Sequence, residues 1–293
     1  MTTALDTAKH LKARIESLTD VGALPEVMAR IMELARDPNS SALDLAAEIS
    51  HDPALSMKIL RTVNSAYYGL QRRIMTIPDA VVILGFDEVE RLALTITVID
   101  TVKLDENGFR ALRALWRHSL ACSIACTVCE LKFMNKFDGL RGVHVAGLLH
   151  DIGKVILGQH FPELHGQILH AVKDGNQDIM EAERAILGGV THCDVGGWVA
   201  ERWNLPEGLV ASIRHHHSPA VEEQTDPLVH TTHVADCLTN ALGYQAQPGG
   251  GSAKINPASS EIIPLDDQLL GAIREQLVRR QPLLSAVSSG SMF

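Results

Sequence analysis

Gly147-Leu148-Leu149-His150-Asp151-Ile152-Gly153-Lys154 sets a histidine, an aspartate and a lysine into an otherwise apolar run. Residues of the same chemistry recur far from it in the chain: His118 before it, then His192, the run His215-His216-His217, and Asp236. Imidazole nitrogen with carboxylate oxygen, and no obligatory thiolate, is the donor set that suits Fe, Mn, Zn, Co or Ni. A bridging carboxylate lets two such ions share one site. The pattern predicts a metal site assembled from several helices.

Outward from that stretch the apolar periodicity is helical. Residues 143–157 read as one helix carrying His150, Asp151 and Lys154, and 109–133 as a long helix carrying His118. Residues 179–187 lead through a loop to His192, which starts a helix over 194–203; Leu205-Pro206 breaks the chain. A helix over 208–217 carries the histidine run, Pro219 ends it, and 228–242 carries Asp236. Upstream, about five short helices are marked by Leu24-Pro25, the cap pair Ser40-Ser41, Asp52-Pro53, Pro78-Asp79 and Asp87, with stops at Asp37-Pro38, Gly69 and Gly85. No alternating pattern of useful length appears, so the fold is expected to be all-α. The Gly- and Pro-rich 245–260 reads as a flexible loop, 265–280 as a further helix and 285–293 as a frayed tail.

The ordered set Trp116-Arg117-His118-Ser119, Gly147 to Lys154, Thr191-His192-Cys193-Asp194-Val195-Gly196, Trp203-Asn204-Leu205-Pro206, His216-His217-Ser218-Pro219 and Ala235-Asp236 resembles the HD superfamily of metal-dependent phosphohydrolases. Leu24-Pro25, Asp52-Pro53-Ala54-Leu55, Asn64-Ser65-Ala66-Tyr67-Tyr68-Gly69 and Ile83-Leu84-Gly85 resemble the leader helices of its HDOD branch, found mostly in bacterial signalling proteins. The resemblance runs from about residue 20 to about 243. It implies an HD-like multi-helix bundle after a smaller helical subdomain, with boundaries at 1–105, 106–243 and 244–293. By resemblance, His118, His150, Asp151 and Asp236 would hold one divalent transition-metal ion and Asp151, His192, His216 and His217 a second, with Asp151 bridging. The family's paired-histidine pattern selects His216 and His217 over His215. Two ions sharing a carboxylate polarise a phosphoryl group and activate water. Asp151 and Lys154 are the expected catalytic residues, Lys154 reaching phosphate oxygens from one turn beyond Asp151. Neighbours on a helix lie about 100° apart, so His150 and Asp151 must converge at the edge of a pocket.

The chain departs from the cyclic-dinucleotide-cleaving HD-GYP relatives. Ser218-Pro219-Ala220-Val221-Glu222 stands where those carry an acidic residue and a Gly-Tyr-Pro loop, and Ala114 where some carry a third-metal Glu. Two readings follow: a signalling module that binds metal, and a nucleotide or phosphodiester ligand, while acting through protein partners; or an active phosphohydrolase or phosphodiesterase. Exposed apolar surface on the leader helices could also pair protomers into a homo-oligomer.

Composition bounds both readings. With Lys+Arg at 26 and Asp+Glu at 35 the formal charge is −9, and basic residues adjoin only in the short Arg72-Arg73 and Arg279-Arg280 pairs, which disfavours nucleic acid as a partner. No apolar stretch suits a bilayer and residues 1–10 lack a secretory apolar core, so a cytoplasmic address without a membrane partner is expected. Five cysteines without framework spacing fit that address. Cys122, Cys126 and Cys129 have the spacing of an iron–sulfur motif but read as one buried helical stripe, and Cys193 and Cys237 as small packing residues. Each donor also has a plainer reading. The histidine run could be a solvated helix end and Lys154 a surface lysine; His233, one turn before Asp236, could support it from behind, but His230 and His233 are expected at the surface.

Overall fold

The structure is a computed structural model that describes residues 4–18, 24–65, 68–101, 106–133, 142–175, 177–219, 226–246 and 254–289. Among these residues there is no strand. In chain order the helices are α1 (Ala4–Ser17), α2 (Glu26–Arg36), α3 (Ala42–Ser50), α4 (Pro53–Val63), α5 (Ile77–Leu84), α6 (Phe86–Thr101), α7 (Glu106–Phe133), α8 (Val143–Leu149) and α9 (Ile152–His160). They continue as α10 (Pro162–Gly175), α11 (Ile179–Leu187), α12 (His192–Arg202), α13 (Glu207–His215), α14 (Pro227–Ala241), α15 (Pro257–Ile262), α16 (Asp267–Arg279) and α17 (Gln281–Ser289). Packing divides the chain into two compact units, one of Met1–Gly22 with Leu104–Val278, the other of Ala23–Lys103 with Arg279–Phe293.

In the second unit local signals set the helix ends. Ser41 and Asp44 form a capping box at the start of α3, and the Asp52 carboxylate accepts from the backbone N–H groups of Ala54 and Leu55 with Pro53 in the first turn of α4. Thr76 caps α5, and Gly85, at a φ of 88°, ends it. The elements close over Ile31, Leu45, Ile49, Ile59, Leu94 and Ile96, all fully buried.

Several boundaries differ from the sequence expectation. α4 ends at Val63 rather than Gly69, because the Asn64 side chain donates to the Ile74 carbonyl and accepts from the Ile74 N–H at 2.7 Å each, which turns the chain aside. Asp87 lies in the first turn of α6 rather than capping it. Part of the expected flexible loop is α15; its residues 247–253 lie outside the described set. Part of the expected frayed tail is α17, held by buried Leu283, Leu284 and Val287, with 290–293 outside the description. Ala66, Tyr67 and 220–225, which carry pieces of the family resemblance, also lie outside it. α1 and α10 had no counterpart in the sequence reading.

The first unit is organised by close helix approaches. A Cβ on Gly147 would come within 2.6 Å of the Ser123 backbone, so glycine is what lets α8 lie against α7. A Cβ on Gly153 would overlap the His192 carbonyl, and one on Gly196 would crowd Ile213 and the Gly153 backbone. α9 and α12 therefore meet glycine to glycine. α14 packs on α7, α8 and α13 and completes the enclosure.

Candidate metal centre

Those approaches bring together donors separated by more than a hundred residues of chain. His118 projects from the middle of α7, His192 opens α12, and Asp236 lies on α14. His150 and Asp151 do not share a helix as expected: α8 stops at Leu149, α9 restarts at Ile152, and Asp151 has φ −99° and ψ 14° between them. The break removes the fixed angle between neighbours, so both side chains enter one cluster. His216 and His217 likewise lie just beyond the end of α13. His118, His150, Asp151, His192, His216 and Asp236 are buried, His217 keeps 15% of its side chain exposed, and His215 faces solvent.

The two oxygens of Asp151 face different donors. Oδ2 lies 3.6 Å from His150 Nε2 and 3.8 Å from His118 Nε2, and these imidazoles are 3.2 Å apart. Asp236 Oδ1 joins this side at 3.1 Å from His118 Nε2 and 3.9 Å from His150 Nε2. Oδ1 of Asp151 lies 3.2 Å from His192 Nε2 and 3.7 Å from His216 Nε2. His217 meets the His192 ring edge to face, lies tilted against His216 and sets its Nδ1 3.8 Å from Asp236 Oδ2.

The inward direction of the Nε2 atoms is fixed from behind. His118 Nδ1 donates to the Tyr244 carbonyl at 2.6 Å, His150 Nδ1 to that of Gly147 at 2.8 Å, and His216 Nδ1 to that of Ile213 at 2.9 Å. His192 Nδ1 donates to the Glu183 carboxylate at 2.7 Å, which also accepts the His192 backbone N–H. A proton held on Nδ1 leaves the Nε2 lone pair facing the cluster, the arrangement typical of metal-ligating histidine.

The donors fit divalent metal. Asp151 Oδ1, Asp236 Oδ2, His216 Nε2 and His217 Nε2 are buried without a hydrogen-bond partner, which is costly unless something else takes their lone pairs. Nitrogen and oxygen ligands about 2.0–2.2 Å from an ion lie about 3 to 3.4 Å from one another. The shortest separations here, 3.1 Å for His118–Asp236 and 3.2 Å for His192–Asp151, fall in that range. Burial pushes His150 down to about 3, so it is neutral. Burial with neighbouring His216 and His192 likewise holds His217 well below its ordinary value. Burial alone would raise the Asp151 and Asp236 carboxyls, but Lys154 beside Asp151 and His118 beside Asp236 more than offset it, so both stay ionised. Burial would lower His192 and His216, but Cys193 and the adjoining carboxylates hold both above the ordinary value, so their Nε2 atoms favour a cation, whether a proton or a metal ion in its place.

Lys154 is not a surface residue. It is buried, and its Nζ donates to Asp151 Oδ2 at 2.8 Å. His230 and His233 are also buried, contrary to expectation. His230 Nδ1 bonds the Ser259 hydroxyl, and His233 donates to the His216 carbonyl at 2.6 Å while accepting the Asn256 N–H. Glu183 and His233 are the supporting residues that the sequence reading missed or placed outside. An acidic residue on an ordinary amphipathic helix carries no mark of its target nine positions on. Cys122, Cys126 and Cys129 are buried along α7, whereas Cys193 falls inside a donor group with His192, His216 and His217.

An all-helical fold with His and Asp donors gathered from α7, the α8–α9 break, α12, the end of α13 and α14 is that of an HD-type domain. The HDOD domain model matches residues 21–219, and the chain belongs to the HDOD family. Solved structures share the fold. An HDOD domain protein of unknown function from Geobacter sulfurreducens superposes with a TM-score of 0.72 at 24% identity, covering 99% of this chain and 98% of that one. A signal transduction protein, so named provisionally, from Marinobacter aquaeolei gives a TM-score of 0.74 at 23% identity over 99% of this chain and 66% of its own. An uncharacterised protein of Treponema pallidum is 25% identical over 244 residues, 80% of this chain. The chain spans 45% of that relative's length. Among the described residues no helix is long and apolar enough to cross a membrane.

Proposed function

We propose that the chain is a regulatory HDOD protein whose HD-like unit holds two divalent transition-metal ions and which acts through signalling-protein partners. The observation that carries this reading is the pair of Asp151 oxygens, each facing its own set of imidazoles. His118, His150, Asp151 and Asp236 would hold one ion, and Asp151, His192, His216 and His217 the other. Bound there, such ions supply Lewis-acid polarisation of a phosphoryl oxygen and activation of water. Burial favours the regulatory form: apart from His217 the donors are at most 3% exposed at the side chain, so the cluster is built to hold ions more than to admit a large substrate.

Lys154 favours a second reading, an active phosphohydrolase or phosphodiesterase on a nucleotide. Its ammonium is held beside Asp151 by an ion pair and would complement a phosphate at the same place. Elemental analysis of gently purified wild type beside Asp151→Ala tests the common core. Two transition-metal ions per chain, lost in the variant, are expected, and a metal-free wild type after reconstitution would overturn the proposal. A screen of nucleotides and phosphodiesters on the loaded protein then separates the readings. Turnover that Asp151→Ala abolishes would establish the enzyme; a loaded, inert protein is the regulatory outcome.

A further inference from the structure

We infer that Cys193 is a sulfur ligand of the ion facing His192 and His216, so that the two metal positions differ in kind. The inference rests on the proposed metal centre and goes beyond its nitrogen and oxygen donors.

Cys193 follows His192 at the start of α12 and is 4% exposed. Its sulfur, one nitrogen each of His192, His216 and His217, all lie within 4.8 Å of one another. Two of these imidazoles, His216 and His217, each have a buried Nε2 without a hydrogen-bond partner. The Sγ to His192 Nε2 distance is 3.5 Å. In the absence of an ion that is an ordinary sulfur–nitrogen hydrogen-bond distance. It also matches the edge of a tetrahedron whose centre lies about 2.3 Å from sulfur and about 2.0–2.1 Å from nitrogen, which is about 3.5–3.6 Å. The His192 Nε2 to Asp151 Oδ1 distance of 3.2 Å gives the adjoining edge.

Among the described residues the other side of Asp151 has no such sulfur: His118, His150 and Asp151 form its group. The Cys122 thiol, one turn beyond His118 on α7, is near enough to feel the Asp236 and Asp151 charges but lies outside that group, and Cys237 sits 3.8 Å from His233 Nε2, a nitrogen already accepting from Asn256. On coordination the Cys193 thiol gives up its proton to solvent and its sulfur lone pair to the ion. A thiolate shifts preference toward softer ions such as Zn, Fe(II) or Co(II) and away from Mn, which the all-N/O position still accepts. One centre would thus distinguish two metals.

Full-length protein loaded with Co(II) reads this directly, without reference to turnover. Wild type should show near-ultraviolet thiolate-to-cobalt charge-transfer absorption together with visible ligand-field bands. Cys193→Ser should lose the charge-transfer band while keeping ligand-field absorption from the first position, and Cys237→Ser should retain both. Bound cobalt with no charge-transfer band in the wild type, or an equal band in Cys193→Ser, would overturn the assignment while leaving the metal centre intact. Absence of cobalt from the wild type, measured by elemental analysis, would overturn both. Because the wild-type spectrum alone can refute the ligand, the test survives a Cys193 variant that does not fold.

Discussion

The two units of this chain bury different things. Among the described residues, every buried ionisable side chain other than cysteine lies in the unit that carries the candidate metal centre: His118, His150, Asp151, Lys154, Glu183, His192, His216, His230, His233 and Asp236. In the other unit the buried polar side chains are Thr62, Thr95 and Thr97. Each returns its hydroxyl to the carbonyl four residues earlier in its own helix. That unit therefore rests on aliphatic burial, with its charged side chains at least partly exposed, and it also displays Leu43, Met57, Met75, Val82 and Ile83 to solvent. The unit with the candidate centre bears a desolvation cost that packing cannot offset and bound ions would. One unit is built for cohesion and an outward apolar surface, the other around an inward chemical demand.

The sharpest way to break that contrast is to injure one unit and read the other. Ile59 is fully buried on α4, and Ile59→Ala removes its side chain from a dry aliphatic core. A loss of about 2–5 kcal/mol in unfolding free energy is expected. Metal content per folded chain should not change. A loss of bound metal in a variant still folded at the assay temperature would show that the leader unit shapes the centre, and the division of labour would fail.

A smaller effect is expected from Glu183, the carboxylate that accepts both the ring and the backbone N–H of His192. Glu183→Gln keeps the shape but weakens the acceptor behind one imidazole. Removal of such a partner lowers metal affinity about 10–100-fold. The loss should fall on the ion facing His192 and spare the one facing His118, giving two separated steps in a metal titration. Equal weakening of both steps would mean that Glu183 supports the cluster as a whole.

What could be read from the chain, and what could not, divides along the same line. His, Asp and Lys inside apolar runs are conspicuous by residue type, and Ser41, Asp52 and Gly85 announce helix ends through side-chain or backbone chemistry. The break between α8 and α9 has no such signal: Leu149 and Ile152 continue the apolar pattern across it, and no proline marks it. It follows from the contacts of Gly147 with α7 and of Gly153 with α12, which are tertiary. The Tyr244 and Gly147 carbonyls that orient His118 and His150 are backbone atoms, so no residue type could reveal them. The helix α17 hid in a tail of small and polar residues because only Leu283, Leu284 and Val287 speak for burial.

The smallest effect tests whether charge matters at all to the apolar unit. Glu88, on α6, lies between Arg91 at 3.1 Å and Arg280 at 3.3 Å and accepts from the Tyr68 hydroxyl at 3.0 Å, tying residues before α17 to the leader helices within the same unit. Burial would raise its carboxyl, but the two guanidiniums and the phenol more than offset this and hold it below the ordinary value of 4.5. A carboxylate depressed in the folded state contributes stability that is present above its unfolded value and lost as pH falls through the folded one. The stability difference between wild type and Glu88→Gln should therefore be constant near neutrality and shrink as pH drops below about 4.5, where the unfolded carboxyl begins to take up its proton, until the folded one does so at lower pH. Taking the difference cancels the site carboxylates, which titrate alike in both proteins. High salt should shrink it too, since the side chains are partly exposed. A difference that holds constant down to acid denaturation would mean that the Arg91–Glu88–Arg280 cluster is ornamental, and that aliphatic burial alone holds this unit together.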